Sequence, residues 1–413
     1  MPWDFLTLDD VQVEDRTIFV RLDINSPIDP DTGNILDETR IVASVPTLRD
    51  LNQAKVVVGS HQSRPGKDDF IHLGEHASIL RRYCGRPVTF IEDIMGPAAR
   101  EAISNLKNGD ILVLDNLRFC SEEAIEGTHK QLLRTHFVKR LAPLFDMYVN
   151  DAFAASHRSQ ASMVAFPDLM PAVAGRTMER ELKALEKVMN EPARPCVYVL
   201  GGVKIEDRIP LIENILASGN ADKVLLGGLL AEFFLIGSGL ELGADAIAKL
   251  DEYSKFLKRV KSLLGRFKDK LMLPIDLAIE EQGERTDLRI KSAPFKGPVK
   301  DIGTETTASY SGIVEKAGTV VADGPLGVFE KEPFAVGTKE VLTAMGDSKA
   351  FTVVGGGHIG GAAELLGVAD RVDHVCTGGG AMLTLLSGQP LPALEALDRS
   401  AKRHRGKIAK TAS

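Results

Sequence analysis

"VRLDINSPID" sets Arg21, Asp23 and Asn25 on alternate positions, hence on one side of an extended segment. "VVVGSHQSRPG" ends a β-branched run with His61 and Arg64, "LVLDNLRFCSEE" ends one with Asn116 and Arg118, and "YVNDAFAASHRSQAS" ends one with His157 and Arg158. "DETRIVASVPTL" adds Arg40 near a helix start. One arginine after a strand is more often half of a surface ion pair than a ligand. Five arginines and two histidines at such positions read differently, because a cationic cleft with nothing in it suffers mutual repulsion. The planar guanidinium fork matches carboxylate and phosphate oxygens. A small, multiply anionic substrate is the expected ligand.

The second half of the chain ends its strands differently. "VLGGVKIEDRI", "LLGGLLAEF", "VADGPLGVFE", "VVGGGHIGG" and "VCTGGGAML" each put glycines after a strand. Glycine lets backbone approach phosphate oxygens closely, and helix N-termini favour the anion. Close packing of sheet against helix is an equal reading for any one loop. Five such loops favour a nucleotide. Lys204, just after Gly201 and Gly202, would bring a mobile positive charge to a phosphoryl group. Glu330 would accept from ribose hydroxyls, or else serve as an acid at a helix N-terminus. Gly355, Gly357 and Gly360 also fit G-x-G-x-x-G, with Asp370 and Asp373 downstream as ribose-binding acids, which would make the chain a nicotinamide-dependent dehydrogenase. That fingerprint should open the first βαβ unit of its domain, whereas here it lies near the end of the sequence. The sequence has no Walker-type phosphate loop, no G-x-S-x-G and no H-E-x-x-H.

These residues need strands to carry them. Apolar runs at 18–22, 55–59, 88–91, 111–115 and 147–151, then at 197–201, 223–227, 271–274, 319–323, 351–354 and 374–377, alternate with helical periodicity. Continuous apolar strands imply burial on both faces, as in parallel sheets covered by helices. "MERELKALEKVMN" sets Met178, Leu182, Leu185 and Met189 on one helical face, and "EPARP" stops that helix. The expected architecture is two Rossmann-like three-layer αβα domains with parallel sheets, joined by a connecting helix. The expected boundaries are 1–175, a connecting helix over 176–192, a second domain over 193–388, and a C-terminal helix over 389–413 packing back on the first domain. The basic run Lys402, Arg403, Arg405 and Lys407 reads as a solvated helix end.

The 413 residues carry a net charge of −7, which argues against a general nucleic-acid binder. Four scattered cysteines without C-x-x-C spacing suit reduced thiols. The acidic start "MPWDFLTLDD" is not a secretory signal. "VLLGGLLAEFFLIGSGL" reads as a strand, loop and helix, because it contains Glu232 and is too short to cross a membrane. A cytoplasmic, monomeric protein without membrane contact is expected.

Taken together, "VRLDINSP", "DETRI", "SHQSRPG", "DNLRF", "NDAFAASHRSQAS", "LGGVKIEDRI", "DGPLGVFE", "VVGGGHI" and "HVCTGGGAML" resemble, in order and over nearly the full length, the phosphoglycerate kinase family. "SHQSRP" and "GGGHI" are closest to its archaeal branch. The resemblance implies reversible phosphoryl transfer between 1,3-bisphosphoglycerate and ADP, with Mg²⁺, after closure of two domains. It implies a 3-phosphoglycerate site at Arg21, Asp23, Ile24, Asn25, Arg40, His61, Gln62, Ser63, Arg64, Arg118, His157 and Arg158. It implies an ADP/ATP site at Gly201, Gly202, Lys204, Arg208, Gly227, Gly228, Pro325, Glu330, Gly355, Gly356, Gly357, His358 and Ile359. Arg40, Lys204 and the backbone of Gly378, Gly379 and Gly380 would stabilise the group in transfer.

Three positions depart from that family's pattern. His358-Ile359 stands where the family has Asp-Thr, whose carboxylate serves the nucleotide's magnesium. Asp323 stands for the usual Asn, and Arg208 for the usual Lys. Neutral imidazole is a poor magnesium ligand, so the metal's protein contacts are expected at Asp323 or around His358 without a firm choice. A non-catalytic nucleotide-binding protein on the same fold is the remaining alternative, since fold alone does not exclude it.

Overall fold

The computed structural model describes residues 4–408 apart from 245, 247, 249 and 250. The segments 1–3 and 409–413 and the side chain of Lys407 therefore lie outside the described residues. The chain divides into two units: residues up to Lys183 together with those from Pro390 onward, and Ala184–Gln389.

The first unit is built on seven strands: β1 (Leu6–Thr7), β2 (Thr17–Leu22), β3 (Lys55–Gly59), β4 (Val88–Ile91), β5 (Ile111–Leu114), β6 (Met147–Asp151) and β7 (Ala172–Ala174). They pair in the order β1-β7-β6-β2-β3-β5-β4, every neighbouring pair parallel. The central strands are buried from end to end, as their unbroken apolar runs require. Ile18, Val20, Val56, Val58, Ile111, Val113, Met147 and Val149 meet on one face. Alternate residues turn to the other face, where Phe19 stacks on Phe145 with centroids 5.0 Å apart and Tyr148 lies parallel to Phe166 at 5.9 Å. From β2 the chain runs to β3, β4 and β5 on one side, then crosses to β6 on the other. That reversal opens a crevice at the carboxyl end of β2, where ligands collect in parallel sheets.

The C-terminal helix Pro392–Ile408 belongs to this unit. Ser400 Oγ accepts from Ala172 N at 2.9 Å and Ala401 joins the core. Its basic residues are tied down rather than simply solvated. Arg399 reaches Asp168 at 3.2 Å and Arg405 reaches Asp4 at 2.6 Å, while Lys402 pairs with Asp398.

The second unit carries β8 (Cys196–Leu200), β9 (Lys223–Leu226), β10 (Leu271–Met272), β11 (Asp276–Glu281), β12 (Glu284–Arg289), β13 (Val299–Ile302), β14 (Thr319–Asp323), β15 (Phe351–Val354) and β16 (His374–Val375). Six of them form a parallel sheet in the order β10-β9-β8-β14-β15-β16. Its reversal falls between β8 and β14. The helix Arg176–Asn190 buries Met178, Leu182 and Leu185 as its periodicity requires. Its residues divide between the two units after Lys183.

The third sheet, β12-β11-β13, is antiparallel and has no counterpart among the apolar runs of the sequence. Gln282 and Gly283 join β11 to β12 with φ of +53° and +86°, the two-residue turn whose twist suits a hairpin. "ERTDLR" is charged and half-exposed, so it lacks the apolar signature of a strand. Leu277 and Ile279 of β11 nevertheless pack on Leu235 and Phe295 as a satellite core. None of the four cysteines is joined in a disulfide, and no helix among the described residues is long and apolar enough to cross a membrane.

Candidate active site

In the first unit the polar strand ends converge as their positions demand. β2 delivers Arg21, then Asp23 and Asn25, while β3 delivers His61 to Arg64. The turn after β5 delivers Arg118, and the segment after β6 delivers His157 and Arg158. Arg40 enters from the first turn of the helix Thr39–Asp50. Its Nη1 donates to Asn25 O at 3.1 Å and lies 3.5 Å from Asp23 Oδ1. Burial pushes the Asp23 carboxyl up, but the charges of Arg40 and Arg21 and a hydrogen bond from Asn25 N outweigh it and hold Asp23 below its ordinary range. Asn25 Oδ1 accepts from Ser63 N at 2.7 Å, which leaves its amide NH₂ to face a ligand. Ser63 itself sits at φ +55°, an uncommon conformation for a side chain. Its hydroxyl donates to Asp69 at 2.5 Å.

Two buried side chains bear most directly on function. His61 is buried, and burial together with Arg21, Arg118 and Arg158 drives its pKa well below the ordinary value despite Asp23. It is neutral at pH 7. Because Arg21 Nη2 donates to His61 Nδ1 at 3.2 Å, the proton sits on Nε2, so His61 presents a donor to the cleft. Arg118 is also buried, and burial first, then Arg158 and Arg21, lowers its pKa to about 10. Its Nη1 donates to Ser63 O, whereas its Nη2 is buried with no hydrogen-bond partner. A buried guanidinium nitrogen without an acceptor is costly, and an incoming anion removes that cost. Nδ1 of His157 is buried without a partner as well.

Three expected ligands of this unit turn inward. Arg21 is fully buried, with Nε donating to Ser162 Oγ at 2.8 Å and Nη1 to Leu22 O. Ser162 is in turn held by Glu123, its N–H donating at 2.9 Å. Arg21 therefore orients His61 from beneath. Ile24 lies in the hydrophobic core. Gln62 is buried with its amide closed on Ser26 at 2.9 and 3.0 Å, and it also faces His76 Nε2 at 3.1 Å. Ser162, Glu123 and Asp69 went unremarked in the sequence, because 141 residues separate Ser162 from Arg21 and short polar side chains carry no periodic signal.

His76 yields a pH prediction. Burial lowers its pKa to about 4, so the unfolded chain takes up a proton near pH 6.5 that the folded chain refuses until about pH 4. The unfolded state thus binds more protons across that window, and stability falls as pH drops through it. The full loss is about 3 kcal/mol. Thermal unfolding between pH 7 and pH 4 should show this slope, and His76→Gln should flatten it by about one proton.

In the second unit the carboxyl ends of β8, β9, β14 and β15 line a cavity of about 340 Å³. Gly202, Gly228, Pro325, Glu330 and His358 border it, together with apolar Val203, Leu229, Leu277, Val299, Ile302 and Leu326. An apolar slot rimmed by a few polar groups suits a nucleoside. Lys204 stands exposed at the N-cap of the helix Ile205–Ala217. The antiparallel sheet supplies Leu277, Val299 and Ile302, which could not be placed at the site without knowing that sheet. Asp301, buried beside them, has its carboxyl pushed up to about 6 by burial against bonds from Gly337 N and Arg285.

The glycines serve shape more than hydrogen bonding. The amides of Gly201, Gly202, Gly227, Gly228 and Gly355 donate to protein carbonyls at 2.7–2.9 Å. A methyl group at Gly201 would lie 2.2 Å from Pro325 O, so this glycine lets one loop close on another. Gly357 differs: φ is +70°, it is exposed, and it precedes the helix His358–Leu365. Gly378 likewise caps the helix Gly379–Leu386. Helix starts of this kind leave amides for an anion.

Here too some expected ligands point elsewhere. Ile359 packs into the core. Arg208 is buried, its Nη2 donating to Asp323 Oδ2 at 2.5 Å and its Nη1 to Lys204 O at 3.0 Å. Burial pushes the Asp323 carboxyl up while Arg208 and Lys204 pull it down. The residues expected to meet magnesium do not fit it, since Asp323 is paired with Arg208 and His358 offers nitrogen rather than oxygen. The dehydrogenase reading fails on position. Gly355 follows β15 and not the first strand of its sheet, and Asp373 Oδ2 accepts from Thr352 N at 2.8 Å, at the opposite end of β15.

The model of the family "Phosphoglycerate kinase" matches residues 8–389. The phosphoglycerate kinase of Methanothermus fervidus is 45% identical over 403 residues, spanning 97% of this chain and 98% of its own. That of Methanothermobacter thermautotrophicus is 46% identical over 401 residues, spanning 96% and 97%. The crystal structure of phosphoglycerate kinase from Pyrococcus horikoshii aligns with a TM-score of 0.90 at 39% identity, covering 96% of this chain and 99% of that one. The enzyme from Coxiella burnetii aligns at 0.78 with 29% identity, covering 96% and 100%. Matched along nearly its whole length in sequence and in three dimensions, the chain belongs to the phosphoglycerate kinase family.

Proposed function

We propose that this chain transfers a phosphoryl group reversibly from the acyl phosphate of 1,3-bisphosphoglycerate to ADP, giving 3-phosphoglycerate and ATP. The observation that carries the reading is a pair of unlike sites. One unit gathers guanidinium groups around a buried Arg118 with an orphaned Nη2, and the other holds a glycine-rimmed cavity beside the exposed Lys204. An acid with several anionic oxygens suits the first and a nucleotide suits the second.

A β-phosphate oxygen of ADP attacks the acyl phosphorus, the bond from phosphorus to the carboxyl oxygen breaks, and the carboxylate leaves. The two oxygens lie in line and no covalent intermediate with the protein forms, so catalysis is positioning plus charge stabilisation. Arg64, Arg118, Arg158 and the Nε2–H of His61 hold the acid's oxygens, with Arg21 fixing the imidazole. Asp23, Asn25 and Arg40 set the carboxyl end. Lys204, Arg40 and the helix-start amides of His358 and Gly379 face the group in transfer. Glu330 takes the ribose hydroxyls. Mg²⁺ arrives with the nucleotide as part of that substrate.

The test is a coupled assay of ATP formation from 1,3-bisphosphoglycerate and Mg·ADP. Wild type should turn over, and reduced nicotinamide should leave the protein unbound. Arg118→Gln should raise KM for the acid by about a hundredfold while leaving KM for ADP unchanged, as expected for loss of a desolvated charge contact. An equal rise in both constants would remove Arg118 from the acid site.

A further inference from the structure

The sequence points to Arg208 and Asp323 as a nucleotide ligand and a candidate metal ligand, and in the structure the two pair with each other. Arg208 has one arm on Asp323 Oδ2 at 2.5 Å and the other on Lys204 O at 3.0 Å. Both side chains are nearly inaccessible, at 6% and 5% exposure. Room for the pair is built into the glycine loops. A methyl group at Gly324 would come within 2.6 Å of Arg208 Nη2, and one at Gly355 within 2.5 Å of Asp323 Oδ1. The pair therefore joins the ends of β8, β14 and β15, and its second arm grips the backbone of the residue that carries the exposed ammonium.

We propose that the Arg208–Asp323 pair is a positioning device for Lys204, locking its backbone so that the ammonium meets the group in transfer. The proposal rests on the kinase reading above for what Lys204 does. The guanidinium is the one side chain suited to the task, because its fixed fork bonds a carboxylate and a carbonyl at once. Placing the negative partner beneath it keeps the buried cation neutralised without a ligand bound. A lysine at 208 would hold Asp323 as a point charge and lose the grip on Lys204 O.

The experiment is a mutant cycle on the full chain, measuring ATP formation with Mg·ADP. Lys204→Ala in the wild-type background should cost about 10³-fold in kcat. Arg208→Gln should cost about 10²-fold, and adding Lys204→Ala to it should cost only about tenfold more, leaving the double variant no worse than Lys204→Ala alone, because groups acting as a unit are non-additive. Losses that multiply overturn the proposal. So does an Arg208→Gln effect confined to KM for ADP, which would make Arg208 a ligand, or an Asp323→Asn variant with altered Mg²⁺ dependence, which would make Asp323 a metal contact. Arg208→Gln leaves a buried carboxylate unpaired and can fail to fold. Arg208→Gln with Asp323→Asn removes both charges and carries the same cycle, while Arg208→Lys should fold well without recovering kcat. A readout independent of turnover is protection of Lys204 from amine acylation by Mg·ADP, followed by mass spectrometry. Protection should be strong in wild type and lost in the double variant; retained protection overturns the proposal. A wild-type chain that made no ATP would sink the kinase reading instead, and the protection experiment would still decide the positioning.

Discussion

Lys204→Ala should lower kcat for ATP formation by about three orders of magnitude, equivalent to about 4 kcal/mol of transition-state stabilisation. The size follows from where the charge sits. Lys204 is exposed at a helix N-cap, next to the cavity-lining Val203, on a backbone held by Arg208. With the nucleotide in its ground state, a solvated ammonium adds little to affinity, so KM for ADP should change less than tenfold. As negative charge spreads over the oxygens of the moving phosphoryl group, the same ammonium becomes a partner that water cannot replace as well. Lys204→Arg should recover only part of kcat, since the planar fork sits differently from a point charge. An alanine variant with wild-type kcat would falsify this role.

Gly324→Ala should strongly destabilise the second unit. Gly324 has φ of +78°, and a methyl there meets Gly201 O at 2.5 Å and Arg208 Nη2 at 2.6 Å. The left-handed conformation costs a side chain about 1–2 kcal/mol, and overpacking against backbone adds about 1–3 kcal/mol. Calorimetry of the full chain should show Tm falling by about 10 °C. Gly357→Ala separates the two terms. Its φ is +70°, but nothing lies within 4 Å of the added methyl, so it should lose only the conformational part. If both variants melted alike, the contact with Arg208 would carry no weight.

The parallel sheets were legible because each interior strand is buried on both faces and must be apolar throughout. β3, β4 and β6 fall where their apolar runs lie, and β14 ends at Asp323 as its run does. The cationic cluster was legible for a related reason. Parallel strands bring their carboxyl ends to one edge, so polar residues that follow them in sequence must meet in space. The hairpin β11–β12 was hidden by charge. Its exposed face reads "ERTDLR", and only the fold reveals that Leu277 and Ile279 alternate inward, with Leu277 reaching the cavity of the second unit.

Residue type and spacing by themselves determined which chemistry this chain carries: arginines and histidines for an anionic acid, glycine loops and a lysine for a nucleotide. They could not determine which of those side chains faces a ligand. Arg21 and Arg118 look alike in sequence, yet one is closed on Ser162 and His61 while the other keeps a buried donor unmatched. Arg208 and Lys204 stand four residues apart, and the partner that separates their roles, Asp323, lies 115 residues from Arg208. Directions of that kind are set by hydrogen bonds between strands distant in sequence, and those exist only once the sheet has formed.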